Sequence, residues 1–208
     1  MSLFDDALTE VGDSDFLAKV LEIACYDSNR FKQYANNVKI SKSATKWNRE
    51  DAAHEVIWQA SSKMTMQGSI AGLPGGLAGL GASAADLSSL IYHMTEMCGV
   101  LAEIYGLDTS DDRVKNFVLA GVSGESNLME KTFKIIEEIG SGVAREVALK
   151  PLVKTLLVPI LRALGIKVGV TGGIKMAELI PVAGAIVGAG TNCWMVNETG
   201  YNFLKKLK

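Results

Sequence analysis

The sequence has few of the residues that build metal centres, disulfide frameworks and catalytic triads. Its 208 residues include two histidines and three cysteines, and Cys25, Cys98 and Cys193 lie far apart without a CxxC pair. An odd and scattered set of this kind predicts reduced thiols and argues against a disulfide scaffold or a zinc knuckle. The first 16 residues are acidic and contain no long apolar run, so no signal peptide is expected.

Runs of alternating β-branched residues, which would predict strands, are also missing. The apolar residues, which make up 48% of the chain, recur almost throughout with the period of a helix. The length suits one domain with a small extension. We therefore expect an all-α, compact multi-helix bundle, with a helical extension at residues 1–47 and a main helical domain at residues 48–208.

Glycine, in contrast, is abundant, with 21 residues, and recurs at four-residue spacing in two segments. Residues four apart lie on one helix face, so each series predicts a groove in which another backbone can approach closely. Such grooves are typical of helix pairs packed in lipid and of very tight pairs in water. The expected positions of this glycine zipper are Gly72, Gly75, Gly76, Gly79, Ser83, Gly184, Gly188 and Asn192.

Capping signals and apolar periodicity define the individual helices. Helices are expected at 14–26, 48–73, 77–105, 110–120, 126–139 and from 181 into the basic tail. Residues 27–47 are polar and mixed, with no helix assigned. Asn48 is the expected N-cap of the second helix, Thr109 with Asp112 should cap the helix at 110–120, and Gly106 should end the long one.

The helices at 50–105 are expected to form a central hairpin, with a sharp turn at Pro74. The C-terminal helix, residues 181–206, should pack on this hairpin through its glycine face. A leucine at Gly188 should therefore be harmful. A leucine at Gly200, near the polar end of the same helix, is expected to be milder.

Charge is distributed unevenly along the chain. Residues 1–140 contain 20 acidic and 12 basic residues, whereas residues 141–208 contain 3 acidic and 9 basic residues. Because this basic part is also the more apolar part, it favours an anionic lipid surface. The basic residues are too sparse, and lack the interleaved aromatics, for a nucleic-acid groove. The expected lipid-facing basic residues are Lys150, Lys154 and Arg162, which lie off an apolar stripe.

Two uncharged segments are borderline in length for crossing a membrane. One has 22 residues between Lys63 and Asp86, and the other has 19 residues between Glu178 and Glu198. Glycine, proline and polar residues dilute the first, and Asn192 and Pro181 interrupt the second. Neither segment predicts a permanent span.

A few polar residues could carry chemistry. His93 and Glu96 are three residues apart on one helix face, and His54 could approach them from a second helix, which is a pattern compatible with a metal site. Asp86 is the only charge between Lys63 and Glu96, and an isolated carboxylate among apolar helices needs a partner or a role. The alternative interpretation is that these are ordinary polar positions on a partly exposed helix.

Three separated blocks resemble the bacterial EcsC family in order and spacing, namely AGLPGGLAGLGASAADL, EIYGLD and IPVAGAIVGAGTN. The positions that carry the resemblance are Ala85, Asp86, Tyr105, Gly106, Leu107, Asp108, Pro181, Gly184, Gly188 and Asn192. It covers about residues 48–205. The resemblance implies a helical, membrane-associated bacterial protein, and the founding member of the family is associated with an ABC-transporter operon. Because the family has no settled activity, no catalytic residue is carried over.

Together these features predict a non-enzymatic bacterial protein that associates with or inserts into membranes through glycine-rich helices, as a transport accessory or a membrane-perturbing, pore-forming effector. Expected partners are anionic lipids, together with a membrane transporter or a second copy of the chain. No cofactor or metal is expected. The expected location is the cytoplasm or the cytoplasmic face of the inner membrane.

Two alternatives from other classes stay open. One is a hydrolase or metal-dependent enzyme with a site around His54, Asp86, His93 and Glu96. The other is a soluble helical module that binds proteins through one exposed apolar groove.

Overall fold

In the computed structural model, seven helices and no strand make up the described part of the chain, which comprises residues 14–43, 48–71, 77–124, 126–139 and 184–208. Side chains are not described at 14–18, 40–43, 65–71, 77–88, 138–139 and 184–192. The helices are α1 (Ser14–Tyr26), α2 (Ser28–Ser43), α3 (Arg49–Ala71), α4 (Leu77–Ile104), α5 (Asp112–Ser123), α6 (Ser126–Ile139) and α7 (Gly184–Leu207). The prediction of an all-α bundle is confirmed.

Helix α2 is the element that the sequence analysis did not assign. Its composition is polar, but Phe31, Ala35 and Val38 follow one another at four- and three-residue spacing and are all buried. This narrow apolar stripe packs the helix against the bundle. The polar residues between the three buried positions lie on the other faces of the helix.

Helix α4 lies at the centre of the bundle and contacts α1, α2, α3, α5 and α7. Nearly every residue from Leu90 to Ile104 is buried, as expected of a helix with apolar residues all round. Helix α5 is also buried along most of its length, with Val114, Phe117 and Val118 in the core. The hydrophobic core is therefore built around two helices that are themselves enclosed by the others.

The ends of the long helices show how local signals position the core. The carboxamide oxygen of Asn48 accepts the backbone N–H of Glu50 at 3.0 Å, which confirms it as a cap. Gly106 has a φ of 90°, and the N–H of Leu107 donates to the carbonyl of Ala102, so α4 ends as predicted.

The predicted cap of α5 is wrong by two residues. Asp111, and not Thr109, is the N-cap, and its carboxylate accepts the N–H of Arg113 at 2.9 Å. Thr109 is engaged elsewhere, because both its N–H and its hydroxyl donate to Glu103 on α4, at 2.8 and 2.6 Å. A carboxylate on a neighbouring helix therefore competes for the residue that sequence alone identifies as the cap.

Helices α3 and α7 run antiparallel and form the most extensive helix pair of the bundle. At one end Lys208 forms an ion pair with Glu50, and further along the rings of His54 and Tyr201 meet edge to face at 5.5 Å. The prediction that the C-terminal helix packs on α3 and α4 is therefore confirmed. The predicted turn at Pro74 lies outside the described residues, and packing through the glycine face stays a prediction.

Three glycines in the described helices allow side chains from other helices to approach closely. A Cβ added at Gly200 would lie 2.8 Å from Ile57 Cγ1, one at Gly121 would lie 2.3 Å from Phe203 Cδ2, and one at Gly99 would lie 2.5 Å from a carbon of Phe31. The expectation that Gly200 tolerates leucine better than Gly188 does is therefore unsupported, because Gly200 is buried between α3 and α4 and has no room for a methyl group.

The predicted zipper positions differ from these three glycines, because their surroundings lie outside the described part of the structure. Gly72, Gly75 and Gly76 lie outside the described residues. The others lie on α4 and α7, in stretches where surroundings are not described, namely Gly79, Ser83, Gly184, Gly188 and Asn192. The glycine zipper stays a prediction.

Replacement of Gly121 by alanine tests the close approach of α5 and α7. In an ordinary helix interior this change stabilises by about 1 kcal/mol. Here the new methyl would overlap the ring of Phe203, which is fully buried, so we expect a net loss of about 2 kcal/mol in the free energy of unfolding. Urea denaturation measures this difference.

The matched control combines the change with Phe203→Leu, which shortens the side chain that would clash. Gly121→Ala should cost less in that background than in the natural chain, since the two residues are in contact. A Gly121→Ala chain that is as stable as the natural one would contradict the packing described here.

Candidate functional site

Glu96 is the most deeply buried carboxylate among the described side chains, with 5% of its side chain exposed. Arg30 Nε on α2 donates to Glu96 Oε1 at 2.6 Å, and His93 Nδ1 lies 3.2 Å from Glu96 Oε2. A buried carboxylate is costly unless it is paired and hydrogen-bonded, and both of its oxygens are satisfied in this way. We call Arg30, His93 and Glu96 the Glu96 cluster.

Neighbouring groups set the protonation of Glu96. Burial by itself raises the pKa of the carboxyl, but the hydrogen bond to His93 and the positive charges of Arg30 and Lys63 outweigh it. The pKa of Glu96 consequently lies below its ordinary value, and the group is an anion at neutral pH.

The Glu96 cluster continues outwards on two sides. Towards α1, the guanidinium of Arg30 lies 5.4 Å from the ring centre of Tyr92, whose hydroxyl donates to Asp27 at 3.4 Å. This arrangement ties the junction of α1 and α2 to the middle of α4.

On the other side, Lys63 on α3 lies 5.4 Å from the ring centre of Tyr34 on α2. The Tyr34 hydroxyl donates to Gln59 at 2.6 Å, and Gln59 in turn donates to Glu55 at 2.8 Å. Burial raises the pKa of Tyr34 to about 12, so its hydroxyl keeps its proton and remains a donor. These polar and charged side chains therefore link α2, α3 and α4, and their role in the bundle is structural.

The residues predicted as an enzyme or metal site do not gather at one place. His93 and Glu96 are together, but Arg30 occupies an oxygen of the carboxylate that a metal would need. His54 instead contacts Tyr201 at the junction of α3 and α7. Among the described side chains, no three of histidine, cysteine, aspartate and glutamate are placed to hold a metal ion. The side chain of Asp86 lies outside the described residues.

A second feature is an exposed aromatic surface on α3 and α7. Trp58, Trp194 and Tyr201 are 65%, 63% and 41% exposed. Trp58 follows His54 by four residues and Trp194 precedes Tyr201 by seven, so each pair shares a helix face, and the contact between His54 and Tyr201 brings the two faces together. We call Trp58, Trp194 and Tyr201 the α3/α7 aromatic surface.

Comparison with known proteins gives one informative result. The sequence matches the model of the EcsC protein family over residues 16–203. The chain belongs to the EcsC family. No curated protein and no solved structure matches it.

The EcsC match begins inside the segment that sequence analysis treats as an N-terminal extension, and it includes α1 and α2. Both helices contact α4, the central helix. The division of the chain at residue 47 stays a prediction.

Lys150, Lys154 and Arg162, the basic residues expected to face lipid, lie outside the described residues. None of the helices in the described part of the chain is long and apolar enough to cross a membrane.

Sequence reasoning missed two parts of the site. The partner of Glu96 is Arg30, which lies 66 positions away on a helix that was not assigned, and no local pattern connects the two residues. The aromatic surface did leave a signal, because the spacings between His54 and Trp58 and between Trp194 and Tyr201 are both helical. The exposure of these side chains cannot be read from the spacing alone, because it depends on which other faces of α3 and α7 are buried.

Glu96→Gln tests the role of the buried carboxylate. The variant keeps the shape and loses the charge that Arg30 and His93 share, so we expect a loss of about 1–3 kcal/mol in the free energy of unfolding at neutral pH. Because the pKa of Glu96 is lowered in the folded chain, its contribution is present at pH values above the unfolded pKa. It is lost as the pH falls through the lower, folded pKa.

The difference between the natural chain and Glu96→Gln should therefore shrink as the pH is lowered below about 4.5. Urea denaturation over a series of acidic pH values measures it. The control is Glu130→Gln, which removes a surface ion pair with Lys134 and should cost less than about 1 kcal/mol. An equal cost for both changes would contradict the assignment of Glu96 as a buried structural anion.

Proposed function

We propose that this EcsC-family chain is a non-enzymatic protein that associates with membranes, and that the α3/α7 aromatic surface contacts the lipid headgroup region. The observation that carries the proposal is the joint exposure of Trp58, Trp194 and Tyr201 on two neighbouring helices. Large apolar side chains exposed as a group mark an interaction surface, whereas single exposed ones need no explanation.

The chemistry of the side chains favours lipid as the partner. Tryptophan and tyrosine have an apolar body and a polar N–H or O–H, so they are enriched at the depth where hydrocarbon gives way to headgroups. Two of the three residues are tryptophans. Lys205, four residues after Tyr201, is exposed and adds a positive charge next to the surface.

The basic character of residues 141–208 supports anionic lipid in particular. In this proposal, Lys150, Lys154 and Arg162 add to the attraction, and the glycine-rich segments associate with or enter the bilayer after docking. The chain would act at the cytoplasmic face of the inner membrane, as a transport accessory or as a membrane-perturbing effector. As a transport accessory, the chain has a membrane transporter as a further partner. As a membrane-perturbing effector, it has a second copy of itself.

Flotation with lipid vesicles tests the proposal. The natural chain should float with vesicles of phosphatidylglycerol. The double variant Trp58→Ser with Trp194→Ser should have a partition coefficient lower by about tenfold or more, because two large apolar contacts with the lipid are lost. Added salt should weaken binding by the natural chain, since part of the attraction is electrostatic.

The control is Ile23→Ser, which removes an exposed apolar side chain from α1, away from the aromatic surface. It should float as the natural chain does. No flotation of the natural chain, or equal flotation of the double variant, would contradict the proposal. The alternative, a helical module that binds proteins, predicts no flotation at all.

Charge reversal tests the electrostatic part separately. Changing Lys150, Lys154 and Arg162 together to glutamate should reduce flotation on anionic vesicles, and should matter less at high salt. Binding that ignores both the reversal and the salt would show that the basic part of the chain has no role in docking. Leakage of a trapped dye from the same vesicles distinguishes a membrane-perturbing protein from an accessory.

A further inference from the structure

Helix α2 carries charge of one sign only. It contains four basic residues and no acidic one, in a chain whose net charge is −2. Its buried stripe of Phe31, Ala35 and Val38 is narrow, and the rest of the helix is polar. A narrow apolar stripe combined with positive charge is typical of helices that lie in the headgroup region of a bilayer. The composition of α2 therefore suits a lipid surface as well as it suits the bundle.

In the folded chain, carboxylates on α4 or just after it bind the cations of α2. Arg30 pairs with Glu96, and Lys32 Nζ lies 2.8 Å from Asp108 Oδ1. The side chains of Arg30 and Lys32 are 48% and 37% exposed. Because one side of each cation faces solvent, a phosphate group can approach it while the carboxylate is still bound. Partly exposed ion pairs of this kind are also weakly held.

The other contacts of α2 are with α4 and, to a smaller extent, with α3. The ring of Phe31 lies against Gly99 on α4, and Lys39 Nζ donates to the carbonyl oxygen of Glu103 at 3.5 Å. Each kind of contact has a counterpart in a bilayer, where the acyl region accepts apolar side chains and the phosphates accept hydrogen bonds from lysine and arginine. Lipid can therefore replace what α2 binds in the bundle.

Departure of α2 does not leave Glu96 without compensation. Removing one partner of a buried ion pair is usually costly, because the other charge stays behind unpaired. Here His93 Nδ1, which lies 3.2 Å from Glu96 Oε2, belongs to α4 itself. The positive charge of Lys63, which also stabilises the Glu96 anion, belongs to α3. Both groups stay with the bundle when Arg30 leaves.

Helix α2 also lies next to the α3/α7 aromatic surface. The Tyr34 hydroxyl on α2 donates to Gln59 on α3 at 2.6 Å, and the residue before Gln59 is Trp58, a member of that surface. A bilayer that meets Trp58 is thereby brought close to the exposed sides of the α2 cations. The lipid phosphates are then supplied where the ionic contacts of α2 are weakest.

We propose that α2 is an interfacial helix, which leaves α4 and lies on the lipid surface when the chain docks on an anionic membrane. Arg30 and Lys32 exchange the carboxylates of the chain for lipid phosphates, and the stripe of Phe31, Ala35 and Val38 turns from the core to the boundary between headgroups and acyl chains. This exchange rests on the proposed function, because docking through the aromatic surface supplies the phosphates. It adds a moving element to that function.

Distances between spin labels test the exchange. In a Cys193→Ser background, in which the two other thiols are buried, Asn37→Cys on α2 and Lys131→Cys on α6 provide two exposed labelling sites. Pulsed electron resonance should give one distance in solution and with phosphatidylcholine vesicles. A second distance should appear on phosphatidylglycerol vesicles. The reference pair, Asp51→Cys on α3 with Lys131→Cys, should keep its distance throughout.

Arg30→Gln tests the ionic contact without lipid. The variant removes the cation that α2 contributes to Glu96, while His93 stays in place. In solution, the population of the second distance should therefore rise by about tenfold or more over that of the natural chain. The control is Lys134→Gln, which removes a cation from the surface ion pair with Glu130 on α6 and should leave the distances unchanged.

Each outcome separates this exchange from the docking itself. A chain that floats with phosphatidylglycerol vesicles while the α2 distance stays the same would overturn the exchange and leave the proposed function standing. A chain that does not float would overturn both. An Arg30→Gln chain with the distances of the natural one would also overturn the exchange. So would a change in the reference pair that accompanies the change in α2, because the whole bundle would then have loosened.

Discussion

The close approach of α7 to α3 and α4 is the contact on which the rest of the structure depends. Gly200 faces Ile57 and Met97 with no space for a methyl group, and Phe203 fills the space left by Gly121 on α5. These two contacts fix both the depth and the rotation of α7. Once one side of the helix is fixed against the core, Trp194, Glu198 and Tyr201 have to lie on its other side. The position of the aromatic surface on α7 therefore follows from the close packing at Gly200 and Gly121.

Different faces of helix α4 make different kinds of contact. Glu96 and His93 belong to the Glu96 cluster, which includes Arg30 on α2, and Met97 packs against Gly200 on α7. Glu96, the one buried carboxylate among the described side chains, is compensated by Arg30 and Lys63, whose own side chains are exposed to solvent. The aromatic side chains of Trp58, Trp194 and Tyr201 are exposed on the outside.

Local signals predicted most helices because periodicity and caps act over short distances. Asn48 and Gly106 end their helices as expected, and α6 has its predicted bounds. Helix α2 was missed because its buried stripe of Phe31, Ala35 and Val38 is narrow and the rest of the helix is polar. The N-cap of α5 was misplaced because Glu103, on another helix, binds Thr109.

The site was harder to predict than the helices, since it is made by contacts between distant residues. The pairing of Arg30 with Glu96 depends on the packing of α2 against α4, which no spacing in the sequence encodes. The importance of Gly200 was underestimated for a similar reason. Its position near the charged end of α7 indicates exposure, yet the antiparallel pairing with α3 buries it.

Quenching of tryptophan fluorescence by brominated lipids tests the central claim most directly, namely that the folded bundle meets the membrane with its α3/α7 aromatic surface. Trp47→Phe combined with Trp58→Phe, or with Trp194→Phe, leaves one reporter at a time on this surface. We predict that on anionic vesicles both reporters shift to shorter wavelength and are quenched most by bromine placed near the headgroups, while the helical circular dichroism stays unchanged. Reporters that keep their emission wavelength and are not quenched by any brominated lipid would contradict the account.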